Sequence, residues 1–529
     1  MTTTANPLAP AAQPSMYDRW LLRLAADPRL RRLYAWLAPV LVTLLAAILR
    51  LWNLGHPHSL VFDETYYVKD AWSQWNLGYA ATWPEGADEL FNSGRTDVFS
   101  TEGSFVVHPP LGKYLIGAGM ALFGADSSFG WRIAVALCGT TCVLILYLLA
   151  RSLTGSVVFA TVASFLLAVD GLGIVMSRVA LLDVILTMFT LLAFWFTVLD
   201  RRRHLDRLAA GIAARQTDAG PPAWGPVLWN RPWIVAAGAA AGAASAVKWS
   251  GAWVLAGIGI YLVVTDALAR RRWGVTFWPT DAAFRQGPAT FLLLVPAALV
   301  VYVASWTGWL TTDGGYGRAR VDTDPGFWSW IPQSLRNLWH YHETIYASTS
   351  GITTAHSYMS PAWQWPLLWR PTSMFVATAT DGSPGCAGGA NGCIETIYSM
   401  PNPLVWWGGV AAVLFLAYRF VRTRDWRYAL VLTGVAATYA PWLLFAERTI
   451  FQFYTIVILP FMLLALTFAL REIAGADRTD PVRRRSGQRT VIVLLAVVVA
   501  LSAFWYPLWT ATQVPYDFYR LHAWMQGWI

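Results

Sequence analysis

The chain has 529 residues, of which 56% are hydrophobic and only 13% charged, whereas soluble domains carry about a quarter charged residues. Such a composition suits lipid as the solvent and excludes an ordinary soluble enzyme. The net charge of +9 does not indicate nucleic acid as a partner, because the arginines lie in short clusters between apolar runs and form no single basic face.

Residues 1–35 are polar with scattered arginines and show no small-residue cleavage site behind a short apolar core, so they are expected to be a cytoplasmic tail. Apolar runs long enough to cross about 30 Å of hydrocarbon as helices then recur near 36–54, 131–150, 156–173, 180–199, 233–248, 250–268, 289–307, 404–421, 428–446, 450–470 and 490–510. These predict an all-α polytopic membrane protein of eleven spans. Tryptophan and tyrosine cluster at the ends of the runs, as expected at the headgroup boundary. Arg29, Arg31 and Arg32 precede the first span. Arg201 to Arg203 follow the fourth, Arg270 to Arg272 the sixth, Arg422, Arg424 and Arg427 the eighth, and Arg483 to Arg485 the tenth. All fall on one side, which the positive-inside rule makes cytoplasmic. The apolar segment 111–124 would invert every later loop if it crossed, so it is expected to be a juxtamembrane or re-entrant helix. The N-terminus is then cytoplasmic, 36–510 is the membrane unit, and the tail 511–529 lies outside. Two long outer loops, 55–130 and 308–403, are where function is expected.

The first loop opens with the adjacent carboxylates Asp63 and Glu64. If a helix starts there, the pair diverges by about 100° and takes two separate jobs rather than sharing a proton. Asp63 could instead simply cap that helix. His108-Pro109-Pro110-Leu111-Gly112-Lys113 starts a helix on a proline pair with a lysine in its first turn, a plausible phosphate site or a plain proline-initiated helix. Arg132, at the outer start of the second span, is a second candidate cation or an interface anchor. Arg178 and Asp183, five residues apart, do not face each other, and each is expected to pair with another element, Asp183 in an ion pair. Only Lys69, Lys113 and Lys248 among the 39 basic residues are lysines. Lys248 sits at the tight corner Lys248-Trp249-Ser250-Gly251, where a compact ammonium could meet a phosphate.

In the second loop, His340, His342 and Glu343 precede a segment containing His356, Tyr358, Trp363 and Trp365. No spacing there matches a zinc signature, so no metal is expected. The interleaved aromatics suit sugar or headgroup packing, or an interfacial belt. Cys386 and Cys393 lie in a Gly-rich stretch of this loop, where an oxidising compartment would allow a disulfide; Cys138 and Cys142 are expected to be buried in a span. Glu447 and Arg448 lie at the outer end of the ninth span, as a local pair or a site wall.

Taken in order, Phe62-Asp63-Glu64, His108 to Lys113, Ser177-Arg178 with Leu181-Leu182-Asp183, Lys248 to Gly251, the His356 to Leu368 segment, Pro401-Asn402-Pro403 and Glu447-Arg448 with Phe451 and Tyr454 resemble the protein O-mannosyltransferases of the GT-C fold, glycosyltransferase family 39. The resemblance covers about 36 to 510. It implies a polyprenyl phosphate mannose donor, Ser/Thr hydroxyls of exported proteins as acceptors, a plasma-membrane location and proximity to the Sec translocon. By position it implies Asp63 as general base, Glu64 as an acceptor-orienting group and Arg132 as a donor-phosphate ligand, with His108, Lys113 and Lys248 beside it. His356, Tyr358, Trp363, Trp365, Glu447 and Arg448 are candidates for acceptor or sugar contacts. The second loop is too short for the carbohydrate-binding-like domain of eukaryotic members, so the chain looks like the actinobacterial form. Two other readings are transfer to a lipid or cell-wall glycan, and transport of a polyprenyl-linked sugar, which would favour polar pathways near the midplane.

Overall fold

The structure is a computed structural model that describes residues 15–218, 220–321, 326–475 and 480–528. The first fourteen residues of the expected tail, and the last residue of the chain, lie outside the described residues. α1 (Met16–Ala26) is capped by Ser15, whose hydroxyl accepts from the Asp18 N–H, and α2 (Pro28–Leu51) starts on an Asp27 cap. α3 (Glu64–Leu77), α4 (Ala87–Asn92) and α5 (Leu111–Phe123) form the first loop. α5 is a 13-residue helix. It packs so closely on α3 that a Cβ at Gly117 would sit 2.8 Å from the Ala71 carbonyl oxygen. The membrane unit continues with α6 (Ser128–Thr154), α7 (Val157–Val169), α8 (Gly171–Val175), α9 (Asp183–Ala213), α10 (Pro232–Val247) and α11 (Gly251–Arg272). α12 (Trp278–Asp281) runs through a widened turn into α13 (Gly287–Ser305), followed by α14 (Thr307–Thr311) and α15 (Gln333–Ser350).

The chain ends with α16 (Pro403–Thr423), α17 (Trp426–Tyr439), α18 (Leu459–Ile473), α19 (Pro481–Trp509) and α20 (Tyr516–Arg520). Seven stretches among the described residues are long and apolar enough to cross a membrane: α2, α6, α9, α11, Trp278–Ser305, α16 and α19. The other four expected spans are the helices α7, α10, α17 and α18, of 13 to 16 residues, which cover about 20–24 Å as helix. Each stops at a chemical break. Asp170 ends α7 and caps α8 by accepting from the Gly173 N–H. Lys248 leaves α10 in extended backbone. α17 passes into a 3₁₀ turn holding Pro441, and α18 follows another, Gln452–Val457. Irregular backbone at such depth is tolerated where protein buries it, and the site residues sit at these breaks.

The all-α expectation needs one correction. β1 (Thr372–Ala379), β2 (Cys393–Ser399) and β3 (Val514–Pro515) form an antiparallel sheet. Cys386 and Cys393 are joined by a disulfide at the base of its hairpin. The segment after α19 is therefore packed rather than trailing: β3 pairs with β2, and Trp528 is buried with its indole donating to the Leu368 carbonyl.

The arginine clusters share one face. Arg201, Arg272 and Arg424 line the same groove, and Arg484 pairs with Asp18 at 2.6 Å, which ties the start of α19 to α1. Nearby, Arg231 pairs with Asp200 at 2.6 Å, and Arg270 pairs with both Asp266 and Asp281 and donates to the Pro226 carbonyl, locking the 225–231 segment beneath the helices.

Candidate active site

Asp63 and Glu64 diverge as the helical rotation requires, and their fates differ. Glu64 is fully buried. Its two oxygens accept from Arg132 Nε and Nη2, each at 2.8 Å, from the Val61 N–H at 2.9 Å and from the Ala180 N–H at 2.7 Å. The remaining Arg132 hydrogens go to the carbonyls of Leu54, Pro57 and Ser59. All five guanidinium N–H groups are thereby spent. Arg132, expected as a donor-phosphate ligand, and Glu64, expected as an acceptor-orienting group, together form a buried clamp tying the first loop to α6 and to the segment just before α9. Arg178 works similarly, donating to the carbonyls of Arg50, Trp52 and Asn53 at the end of α2.

Asp63 stands at the N-cap position of α3, yet its carboxylate makes no capping hydrogen bond. The preceding Phe62 is in the left-handed region at φ +52°, a strained conformation for a bulky residue. Edge-on contacts from His356, Phe451 and Phe453 hold its ring. Burial pushes the Asp63 carboxyl up to about 6, the Lys248 charge partly offsets this, and Asp183 adds to it. Asp63 therefore lies within electrostatic reach of the Lys248–Asp183 pair.

Lys248 closes α10, where its ammonium donates to both Asp183 oxygens at 2.9 and 2.8 Å and lies 4.8 Å from the centre of the Tyr454 ring. With His108, Trp249, Trp442, Arg448 and Tyr454 it lines a cavity of about 220 Å³. Arg448 is the open cation of this cavity. Among the described residues no carboxylate pairs with it, its Nε is buried without a hydrogen-bond partner, and its guanidinium stands 5.8 Å from the Trp442 ring centre. His108 is held well below the usual imidazole range by burial and by Lys248, Lys113 and Arg448, so its ring is neutral at physiological pH.

Other expected site residues lie elsewhere. Lys113, expected to contact the phosphate, is fully buried 3.3 Å from Asp70 and does not line the cavity. Trp365 is buried against Tyr439 and Trp442 and donates to the Ser360 carbonyl, a packing role. His356 is exposed and braces Phe62, Tyr358 lies under Arg370, and Trp363 and Glu447 are exposed outside the cavity. Trp249, Trp442 and Tyr454 were not among the expected site residues. Their signal is adjacency: Trp249 follows Lys248, and Tyr454 closes the Glu447-Arg448 motif. Among the described residues no three His, Cys, Asp or Glu side chains gather as metal ligands.

Residues 40–213 match the family described as dolichyl-phosphate-mannose-protein mannosyltransferase, and 334–528 match the C-terminal four-helix membrane region of protein O-mannosyltransferase. A polyprenol-phosphate-mannose–protein mannosyltransferase of Mycolicibacterium smegmatis is 34% identical over 94% of each chain. The chain belongs to the protein mannosyltransferase family. A family member from Mycobacterium tuberculosis is 31% identical over 99% of this chain and 97% of its own. The Saccharomyces cerevisiae Pmt1-Pmt2 complex bound to its sugar donor shares the fold, with a TM-score of 0.68 at 15% identity over 94% of this chain and 92% of that one. The first matched family segment holds Asp63, His108 and Asp183; the second holds Arg448 and Tyr454; Lys248 lies between the two.

Proposed function

We propose that this membrane enzyme transfers mannose from polyprenyl phosphate mannose to Ser/Thr hydroxyls of exported proteins, on the extracytoplasmic face of the plasma membrane. The observation that carries the assignment is an uncapped carboxyl, raised to about 6, within electrostatic reach of Lys248, which lines a cavity where, among the described residues, no carboxylate pairs with the Arg448 guanidinium. A hydroxyl is a poor nucleophile until a base takes its proton. Asp63 accepts that proton as the hydroxyl oxygen bonds to C1 and the C1–O bond to phosphate breaks. The leaving phosphate gains negative charge, which Arg448 and Lys248 stabilise and to which neutral His108 donates an N–H. One displacement inverts the anomeric carbon, so a β-linked donor gives an α-mannoside.

A larger apolar groove between α11 and α17 shares Trp253, Ala437 and Pro441 with the cavity. This continuity supports seating the donor phosphate in the cavity with its first isoprene units in the groove. The test is transfer of labelled mannose from polyprenyl phosphate mannose to a Ser/Thr-rich peptide, compared with lipid and glycan acceptors. Label in the peptide, lost with Asp63→Asn, supports the assignment; label only in lipid or glycan overturns the protein acceptor.

A further inference from the structure

The groove between α11 and α17 is far larger than the cavity at its end, about 860 Å³. It runs along the membrane-spanning length of α11. Ile260, Val264 and Leu268 project into it one turn apart, each roughly half exposed. At the end remote from Lys248 its walls change character: Arg201 of α9, Arg272 at the end of α11 and Arg424 just after α16 converge there, together with Trp273 and Trp426. The Arg201 guanidinium stacks 4.6 Å from the Trp426 ring centre, and its Nε is buried with no hydrogen-bond partner.

Among the described residues none of these three arginines forms an ion pair with a carboxylate. The two acids within electrostatic reach of Arg201 are engaged by other groups: Asp425 is bound by Arg427 and caps α17, and Asp266 is held by His204 and Arg270. Arg272 is close enough to Arg201 to repel it. Three converging cations at the mouth of an apolar channel need an anion that carries its own hydrocarbon. The carrier lipid of the reaction does not supply one here, because its single phosphate belongs at the other end and its chain is apolar.

We propose that this arginine-lined end binds the phosphate headgroup of an anionic phospholipid, with an acyl chain laid along α11 and α17. The lipid comes from the leaflet on the arginine-rich face. Basic groups near a membrane surface favour anionic over zwitterionic headgroups through their charge, and the stem of the groove supplies the apolar contact. The bound chain also fixes the spacing of two helices that bear on the reaction cavity: α11 begins directly after the Lys248–Trp249 corner, and α17 leads into the turn holding Trp442. The carrier's first isoprene units and this acyl chain enter the groove from opposite ends, and occupancy of the headgroup site is read without turnover.

The test uses the delipidated full chain in detergent, titrated in native mass spectrometry with dioleoyl phosphatidylglycerol, with dioleoyl phosphatidylcholine and with polyprenyl phosphate. Phosphatidylglycerol is expected to bind about tenfold or more tighter than phosphatidylcholine. The exposed pair R272Q/R424Q should remove most of that preference and R201Q/R272Q/R424Q all of it, with polyprenyl phosphate binding unchanged. Ile260→Trp, which fills the groove without altering charge, should weaken both phospholipids alike. Equal affinities for the two phospholipids, or a preference that survives the triple substitution, overturn the headgroup site. Unchanged phospholipid binding in Ile260→Trp overturns the groove as the seat of the chain, and parallel loss of polyprenyl phosphate in the arginine variants reassigns the arginines to the carrier.

Discussion

At the scale of single residues, the informative contrast is between two neighbouring carboxylates. The Asp63 carboxyl is raised to about 6, so below that pH it is protonated and cannot accept a hydroxyl proton. The rate of transfer at low substrate is expected to rise with pH through about 6 and level off above it. Asp63→Asn should lower turnover by about a hundredfold or more and abolish that limb of the profile; an unchanged limb would reject Asp63 as the base. The same shift makes a stability prediction. A folded-state pKa above the unfolded value means that ionisation opposes folding as pH rises, so Asp63→Asn should melt higher than the native chain at pH 8 and lose that advantage at pH 5. Glu64→Gln is expected to do the reverse. It breaks a fully buried ion pair, at a cost of about 3–5 kcal/mol, and should lower the melting temperature while leaving donor affinity in surviving folded protein intact. The divergence of these two side chains was legible from adjacency alone. That Glu64 would consume every Arg132 hydrogen was not, because the partners come from the 54–59 turn and the start of α9, far along the chain.

At the scale of elements, the candidate site residues sit where helices are interrupted. Hydropathy located the apolar runs correctly, since it measures lipid compatibility, but it does not register the breaks at Asp170, Lys248 and Pro441 that put polar groups at the ends of short helices. The turn between α17 and α18 carries Arg448, and with no carboxylate among the described residues to neutralise it this side chain is the first candidate for the donor phosphate. Arg448→Ala should raise the apparent dissociation constant for polyprenyl phosphate by about ten- to a hundredfold, as loss of a charge-assisted hydrogen bond does, with Arg448→Lys intermediate; unchanged affinity in titration would exclude the contact. The sheet escaped sequence reading because β1 and β2 lie in a loop rich in Gly, Ser and Thr, with the hairpin closed by the Cys386–Cys393 bond. Removing that bond frees a short loop whose closure is worth about 2–3 kcal/mol. Cys386→Ser with Cys393→Ser should speed amide exchange across β1 and β2 while α6 and α9 keep their protection.

At the scale of the whole molecule, the arginine clusters constrain which of the shorter helices cross. Arg201 on α9, Arg272 on α11 and Arg424 after α16 line one end of one groove, and Arg484 meets Asp18 of α1. If α7 did not cross, α2, α6 and α9 would make an odd number of passes and put Arg201 to Arg203 opposite the N-terminal cluster. The same parity requires α10 to cross between Arg203 and Arg270, while α17 and α18 must cross together or not at all. Parity thus argues for crossing by α7 and α10, which are too short to span as continuous α-helix, and the 3₁₀ turns beside α17 and α18 add length to that pair. We propose that the arginine-rich side faces the cytoplasm, because moving Arg across a bilayer is costly. Single cysteines introduced at Arg202 and Arg485 should react with a membrane-impermeant maleimide only after permeabilisation of cells, and cysteines at Glu102 and Trp363 should react in intact cells. The native cysteines leave the background low, since two are buried and two are joined. Opposite labelling of positions 202 and 485 would break the parity argument. Labelling of both in intact cells, with 102 and 363 protected, would keep the parity but invert the molecule and move the chemistry to the cytoplasmic side.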